Sequence, residues 1–178
     1  MKTEHQSLRG MVDASMFGAL TALGAYIIIP IPPVPITLQT FFLYVAGAIL
    51  GGYLGALSQV VYILLGIIGL PVFAGGKAGL GVLFGPTGGY LIGFVLAAFL
   101  VGKLVSARPR PGFLWMASSM LAGTAALYTL GVLQLMVVAK LSLIKALAVG
   151  VLPFLIGDAI KIVLAALISG KVRERIRL

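Results

Sequence analysis

Long apolar stretches alternate along this chain with short polar or irregular ones. Six apolar segments, roughly 11–30, 36–53, 54–70, 86–105, 113–139 and 147–170, approach or meet the ~20 residues that a helix needs to cross a bilayer. The second and third share one run and require a tight turn between them, which Gly51, Gly52 and Gly55 in "GGYLGA" permit. The pattern predicts an all-α membrane protein with six transmembrane helices in one bundle, residues 1–178 forming a single domain.

Three stretches break the pattern. "PIPPVPIT" (30–37) reads as an extended connection, because proline locks its own backbone and disfavours helix in the residue before it. "PVFAGGKAGLGVLFGPTGG" (71–89) is at once glycine-rich and apolar, which suits a long loop packed against protein between helices three and four. The link from Lys140 to Pro153 reads as irregular too. Long irregular segments in compact proteins often serve as lids or binding loops.

Composition agrees with the membrane reading: 61% of the residues are hydrophobic and 10% charged, with a mean hydropathy of +1.17. The polar start, "MKTEHQSLRG", does not fit a cleavable signal peptide, and no lipidation signal is visible. Cysteine is absent and the lone histidine, His5, sits in that polar start, so metal and Ser-His chemistry have almost no material.

The net charge of +9 does not point to nucleic acid, because the basic residues sit mainly at the edges of apolar segments, where they set topology and meet lipid headgroups. Six spans put both termini on one side with Lys2, Arg9, Lys103, Arg108, Arg110, Lys171, Arg173, Arg175 and Arg177. Lys77, Lys140 and Lys145 fall on the other. This bias predicts a multi-pass protein of the plasma membrane with cytoplasmic termini and an outward-facing loop at 71–89.

The candidate chemistry centres on "GDAIK". Asp158 and Lys161 stand three residues apart, which on a helix places them on one face. Charges inside a span usually face a cavity or a partner. Two readings stand: a polar clamp in which they neutralise each other, and a site where both bind a solute. A proton relay lacks a supporting chain of acids. Gln39 in "PITLQT" is suited to a ligand of mixed polarity and equally to a neighbouring backbone group. Tyr90 in "GPTGGYLIGF" is suited to closing a pocket and equally to anchoring its helix at the headgroups.

"GGKAGLG" fails as a phosphate loop, having Ala after its lysine and no correctly spaced first glycine, so any ATP-driven work falls to a partner. In helix one, Ala14, Gly18 and Ala22 recur every four residues and form a smooth stripe. It serves internal packing or the docking of another membrane protein.

The run "VPITLQTFFLYVAGAILGGYLGALSQVVYILLGIIGLPVFAGGKAGLGVLFGPTGGYLIGF", together with "GDAIK", resembles the BioY family, the biotin-specific substrate-binding components of energy-coupling factor (ECF) transporters. The resemblance covers about residues 13–170. It implies a six-helix protein that is not an enzyme, needs no cofactor, and captures biotin from the outside. Its partners would be a transmembrane coupling protein and ATPase subunits, or further copies of itself where it acts alone. It also implies that Asp158 faces the ureido group of biotin and Lys161 the valerate carboxylate. The loop from Val72 to Thr87 would cover the ligand, and the Ala14, Gly18 and Ala22 stripe would meet the coupling protein. A related module with another vitamin as cargo, and a non-transporting scaffold, are the rival readings.

Overall fold

The computed structural model describes residues 2–176, and side chains from Leu8 to Arg175. Arg177 and the side chain of Lys2, which entered the reading of charge, and the side chain of His5, which entered that of metal chemistry, lie outside what is described. Within it the chain forms α1 (Lys2–Tyr26), α2 (Gln39–Leu50), α3 (Gly52–Ile67), α4 (Gly88–Ser106), α5 (Phe113–Ala139), α6 (Leu143–Gly150) and α7 (Leu155–Ile176). Between α1 and α2 the proline-rich stretch makes a minimal antiparallel hairpin, β1 (Ile28–Ile29) with β2 (Ile36–Thr37), in which Ile28 faces Thr37 and Ile29 faces Ile36.

The pattern of exposure is that of a protein solvated by lipid. Leu114 and Val137 of α5, Ile144 of α6 and Ile156 of α7 are each at least 78% exposed, while Leu43, Tyr44, Tyr62, Met120 and Leu135 are sealed inside. So much exposed apolar surface is covered by lipid, not water. Three helical stretches, Gly88–Ser106, Phe113–Ala139 and Leu143–Arg175, are long and apolar enough to cross a membrane.

Several expected boundaries move, each for a local reason. Helix α1 begins at Lys2, earlier than position 11, and ends at Tyr26, ahead of the prolines that stop it. The expected segments 36–53 and 54–70 become helices of 12 and 16 residues, both shorter than the ~20 a span needs. The link expected to be irregular up to Pro153 contains the helix α6. Segment 147–170 is correspondingly divided between α6 and α7 by a short 3-10 turn, Leu152–Phe154, at Pro153, which cannot donate to a helical ladder and crowds the preceding turn. Lys140, left-handed at φ 52°, ends α5.

The turn between α2 and α3 does occur at the predicted glycines. Gly51 takes φ 84°, which breaks the helical path while its N–H still reaches the Gly47 carbonyl at 3.0 Å. Helix α4 passes so close to this turn that a Cβ on Gly102 would lie 2.3 Å from the Gly51 carbonyl carbon. At the same end of the molecule, Arg173 of α7 donates from Nη1 to the Ala48 carbonyl of α2 at 2.6 Å. Gly102→Ala forces backbone against backbone. It is expected to destabilise the protein by about 1–3 kcal/mol, read as a lower midpoint of thermal unfolding in detergent.

Candidate functional site

The end of the bundle away from both chain termini holds a pocket. Its walls come from the hairpin (Val34, Pro35, Thr37), the start of α2 (Gln39, Thr40), the 71–87 loop (Phe73, Lys77, Thr87), the start of α4 (Tyr90, Phe94), the middle of α5 (Leu127, Tyr128) and the start of α7 (Asp158, Lys161). Most of the surface is aromatic or aliphatic, and the polar groups converge from α2, α5 and α7. Small-molecule sites share this composition.

Helical spacing does what was expected of Asp158 and Lys161. They share a face of α7, with Lys161 Nζ 2.6 Å from Asp158 Oδ1, and are only 4% and 7% exposed. Both make further hydrogen bonds to residues the sequence did not single out. Thr40 accepts from Lys161 Nζ at 2.8 Å and donates to Asp158 Oδ1 at 3.3 Å. The Thr37 carbonyl accepts from Lys161 at 3.0 Å, and the Tyr128 hydroxyl donates to Asp158 Oδ2. The ammonium therefore has three acceptors for three N–H groups, and both carboxylate oxygens are engaged.

Gln39 enters the same pocket with both ends of its amide bonded. Its Oε1 accepts from the Thr37 hydroxyl at 2.9 Å and its Nε2 donates to Tyr62. Tyr90 lines the pocket as well, and its hydroxyl donates to the Gly150 carbonyl at 2.8 Å, pinning the end of α6. All four predicted residues thus meet in one place. Thr37, Thr40 and Tyr128 join them, with Tyr62 bonded to Gln39, and the only hint of Thr37 and Thr40 was their place beside Gln39 in "ITLQT".

The glycine-rich loop, expected to pack against protein, is anchored at Phe73 and near Leu83, while residues 75–78, Leu80 and Phe84 are exposed. Phe73 is buried, edge-on to Tyr62 with ring centroids 5.7 Å apart, and fills a notch that exists because residue 66 is glycine: a Cβ there would meet Phe73 Cζ at 2.1 Å. Farther along, Gln134 Nε2 donates to the Leu83 and Gly85 carbonyls at 2.6 and 2.8 Å.

Ala14, Gly18 and Ala22 are not at the pocket, and all three are buried. A Cβ on Gly18 would stand 2.9 Å from the Ser58 carbonyl of α3, so the stripe is an internal seam. This corrects the expectation that these three residues offer a surface to a coupling protein. The small residues that α1 turns outward are Ser15 and Ala19, one position along.

Comparison with known proteins gives a consistent answer. The model of the BioY family matches residues 1–178. A biotin transporter BioY from Thermotoga maritima is 45% identical over 167 residues, covering 94% of this chain and 97% of the relative. A probable biotin transporter BioY from Pyrococcus horikoshii is 39% identical over 173 residues, covering 97% and 98%. Among solved structures, the S-component for biotin from an ECF-type ABC transporter superposes with a TM-score of 0.86 at 28% identity, covering 96% of this chain and 93% of that one.

Tyr128 provides a test of the polar cluster independent of any ligand. Tyr128→Phe keeps the ring but leaves Asp158 Oδ2 short of its donor. The expected cost is about 1–3 kcal/mol, measured as a fall in the thermal unfolding midpoint. An unchanged midpoint would mean that this hydroxyl contributes nothing to holding the carboxylate.

Proposed function

From the premise that this chain belongs to the BioY family, we propose that it captures biotin at the Asp158–Lys161 pocket for uptake by an ECF-type transporter. It is a transport protein and not an enzyme. The observation that carries the site assignment is the convergence of buried, hydrogen-bonded charges with aromatic walls at one end of the bundle. Biotin offers two ureido N–H donors, a ureido carbonyl, an apolar bicycle and an acidic tail. Asp158 accepts from the N–H groups, while Tyr90, Phe94 and Leu127 enclose the bicycle.

In this reading the chain crosses the membrane six times, with α6 and α7 together forming one crossing and the short α2 and α3 each completed by irregular backbone buried against protein. The excess of Lys and Arg near the termini then places both in the cytoplasm. The pocket lies at the opposite end and opens outward, as capture from outside requires. ATP hydrolysis belongs to partner subunits, and the coupling protein docks on the outer face of α1 around Ser15 and Ala19.

Asp158→Asn and Lys161→Ala are each expected to lower the affinity for radiolabelled biotin at least about tenfold, since each leaves a buried polar partner unpaired. Unchanged affinity in both would sink the site. Ala19→Leu is expected to leave biotin binding to the purified protein intact while abolishing uptake in cells that supply the coupling protein and ATPases. Normal uptake would exclude the Ser15–Ala19 face as the docking surface.

A further inference from the structure

We infer that Lys77 of the loop, and not Lys161, is the cation that reads the ligand's carboxylate, so that biotin enters ring first and keeps its acidic tail at the mouth. The inference rests on the biotin reading above and deepens it. Two cationic side chains line the pocket, Lys77 and Lys161. Their surroundings suit opposite ends of the ligand.

Lys161 is buried and its three N–H groups already have acceptors in Asp158, Thr40 and Thr37. A carboxylate placed on this ammonium would bring a second anion beside Asp158, whose Oδ1 is 2.6 Å away from the same Nζ. Like charges repel strongly in so dry a site, and a carboxylate stripped of water carries its own desolvation cost. A neutral ureido carbonyl carries neither penalty. It can share the ammonium while the ureido N–H groups turn to Asp158, which makes the pair a reader of the ring.

Lys77 has the complementary environment. It is exposed, yet its backbone is fixed: the Phe73 N–H donates to the Lys77 carbonyl at 3.0 Å across a turn in which Gly75 and Gly76 take φ 74° and 72°. Buried Phe73 anchors that turn, and the Gly79 N–H donates to the Gly66 carbonyl at 2.7 Å just beyond it. The braced backbone therefore holds an exposed lysine in the lining of the pocket, where its ammonium stays hydrated. A carboxylate meeting it at the mouth need not be fully desolvated, so the contact can favour the free acid over its esters and amides.

The test compares biotin with biotin methyl ester, which lacks the negative tail, on the purified full chain in detergent. Wild type is expected to favour biotin by about two- to fivefold, the range of a solvent-exposed ion pair. Lys77→Ala is expected to lose that preference by weakening biotin alone, and Lys77→Arg to retain it. Lys161→Gln is expected to weaken acid and ester alike. If Lys77→Ala keeps the wild-type preference, or Lys161→Gln abolishes it selectively, the inference is overturned while the biotin site stands. Wild type that binds neither compound overturns the functional reading itself, and this inference with it.

Discussion

Two opposite charges 2.6 Å apart in an apolar bundle set the terms for everything around them. Either alone inside a membrane would cost several kcal/mol or more. Their attraction does not by itself offset the desolvation of both, so the rest must come from further hydrogen bonds to the ammonium and the carboxylate. Those bonds come from Thr40 on α2, Tyr128 on α5 and the Thr37 carbonyl in the hairpin, which draws three helices and a loop to one point. At the far end the Arg173 bond to Ala48 makes a second fastening between α7 and α2. An apolar pair at 158 and 161 would hold the bundle without the desolvation cost. Stability alone therefore gives little reason for the charges, and their position in the wall of a pocket supplies one.

The parts of this arrangement that depend on local periodicity were legible in the chain. The three-residue spacing of Asp158 and Lys161 places them on one face whatever else the fold does, and Gly51 marks its turn through its own backbone freedom. Contributions made across the bundle were not. Tyr128 in "ALYTL" looks the same in sequence whether it faces lipid, a headgroup or a carboxylate thirty residues away, because that choice depends on how α5 is rotated against α7. The crossing lengths were hidden for a related reason. Hydropathy counts apolar residues without distinguishing helix from the extended backbone of the hairpin, so α2 looked longer than its 12 residues.

Helix α1 shows the same limit on its faces. A spacing of four residues defines a stripe but not which side it faces, and α1 carries two such rows, Ala14–Gly18–Ala22 and Ser15–Ala19, offset by one residue, or about 100° of rotation. The first row carries the close approach to α3, since a Cβ on Gly18 would stand 2.9 Å from the Ser58 carbonyl oxygen. Burying that row turns the second outward. The fold thus separates two uses of small residues that are indistinguishable on a helical wheel: one lets α1 close onto its own bundle, and the other leaves a low surface facing the membrane.

The loop over the pocket answers a mechanical demand of capture without catalysis. A ligand must enter, yet the polar cluster must not loosen each time it does. Phe73 locked against Gly66 and the Gln134 bonds to Leu83 and Gly85 hold both shoulders of the loop, whereas around Gly76, Gly79 and Gly81 nothing lies within 4 Å of where a side chain would stand. That open space lies beside Lys77, whose own backbone is held by the Phe73 N–H and by the Gly79 bond to Gly66. The wall that α2 and α7 contribute is closed by the contact of Thr40 with Asp158 and Lys161. Opening that contact means breaking several buried bonds at once.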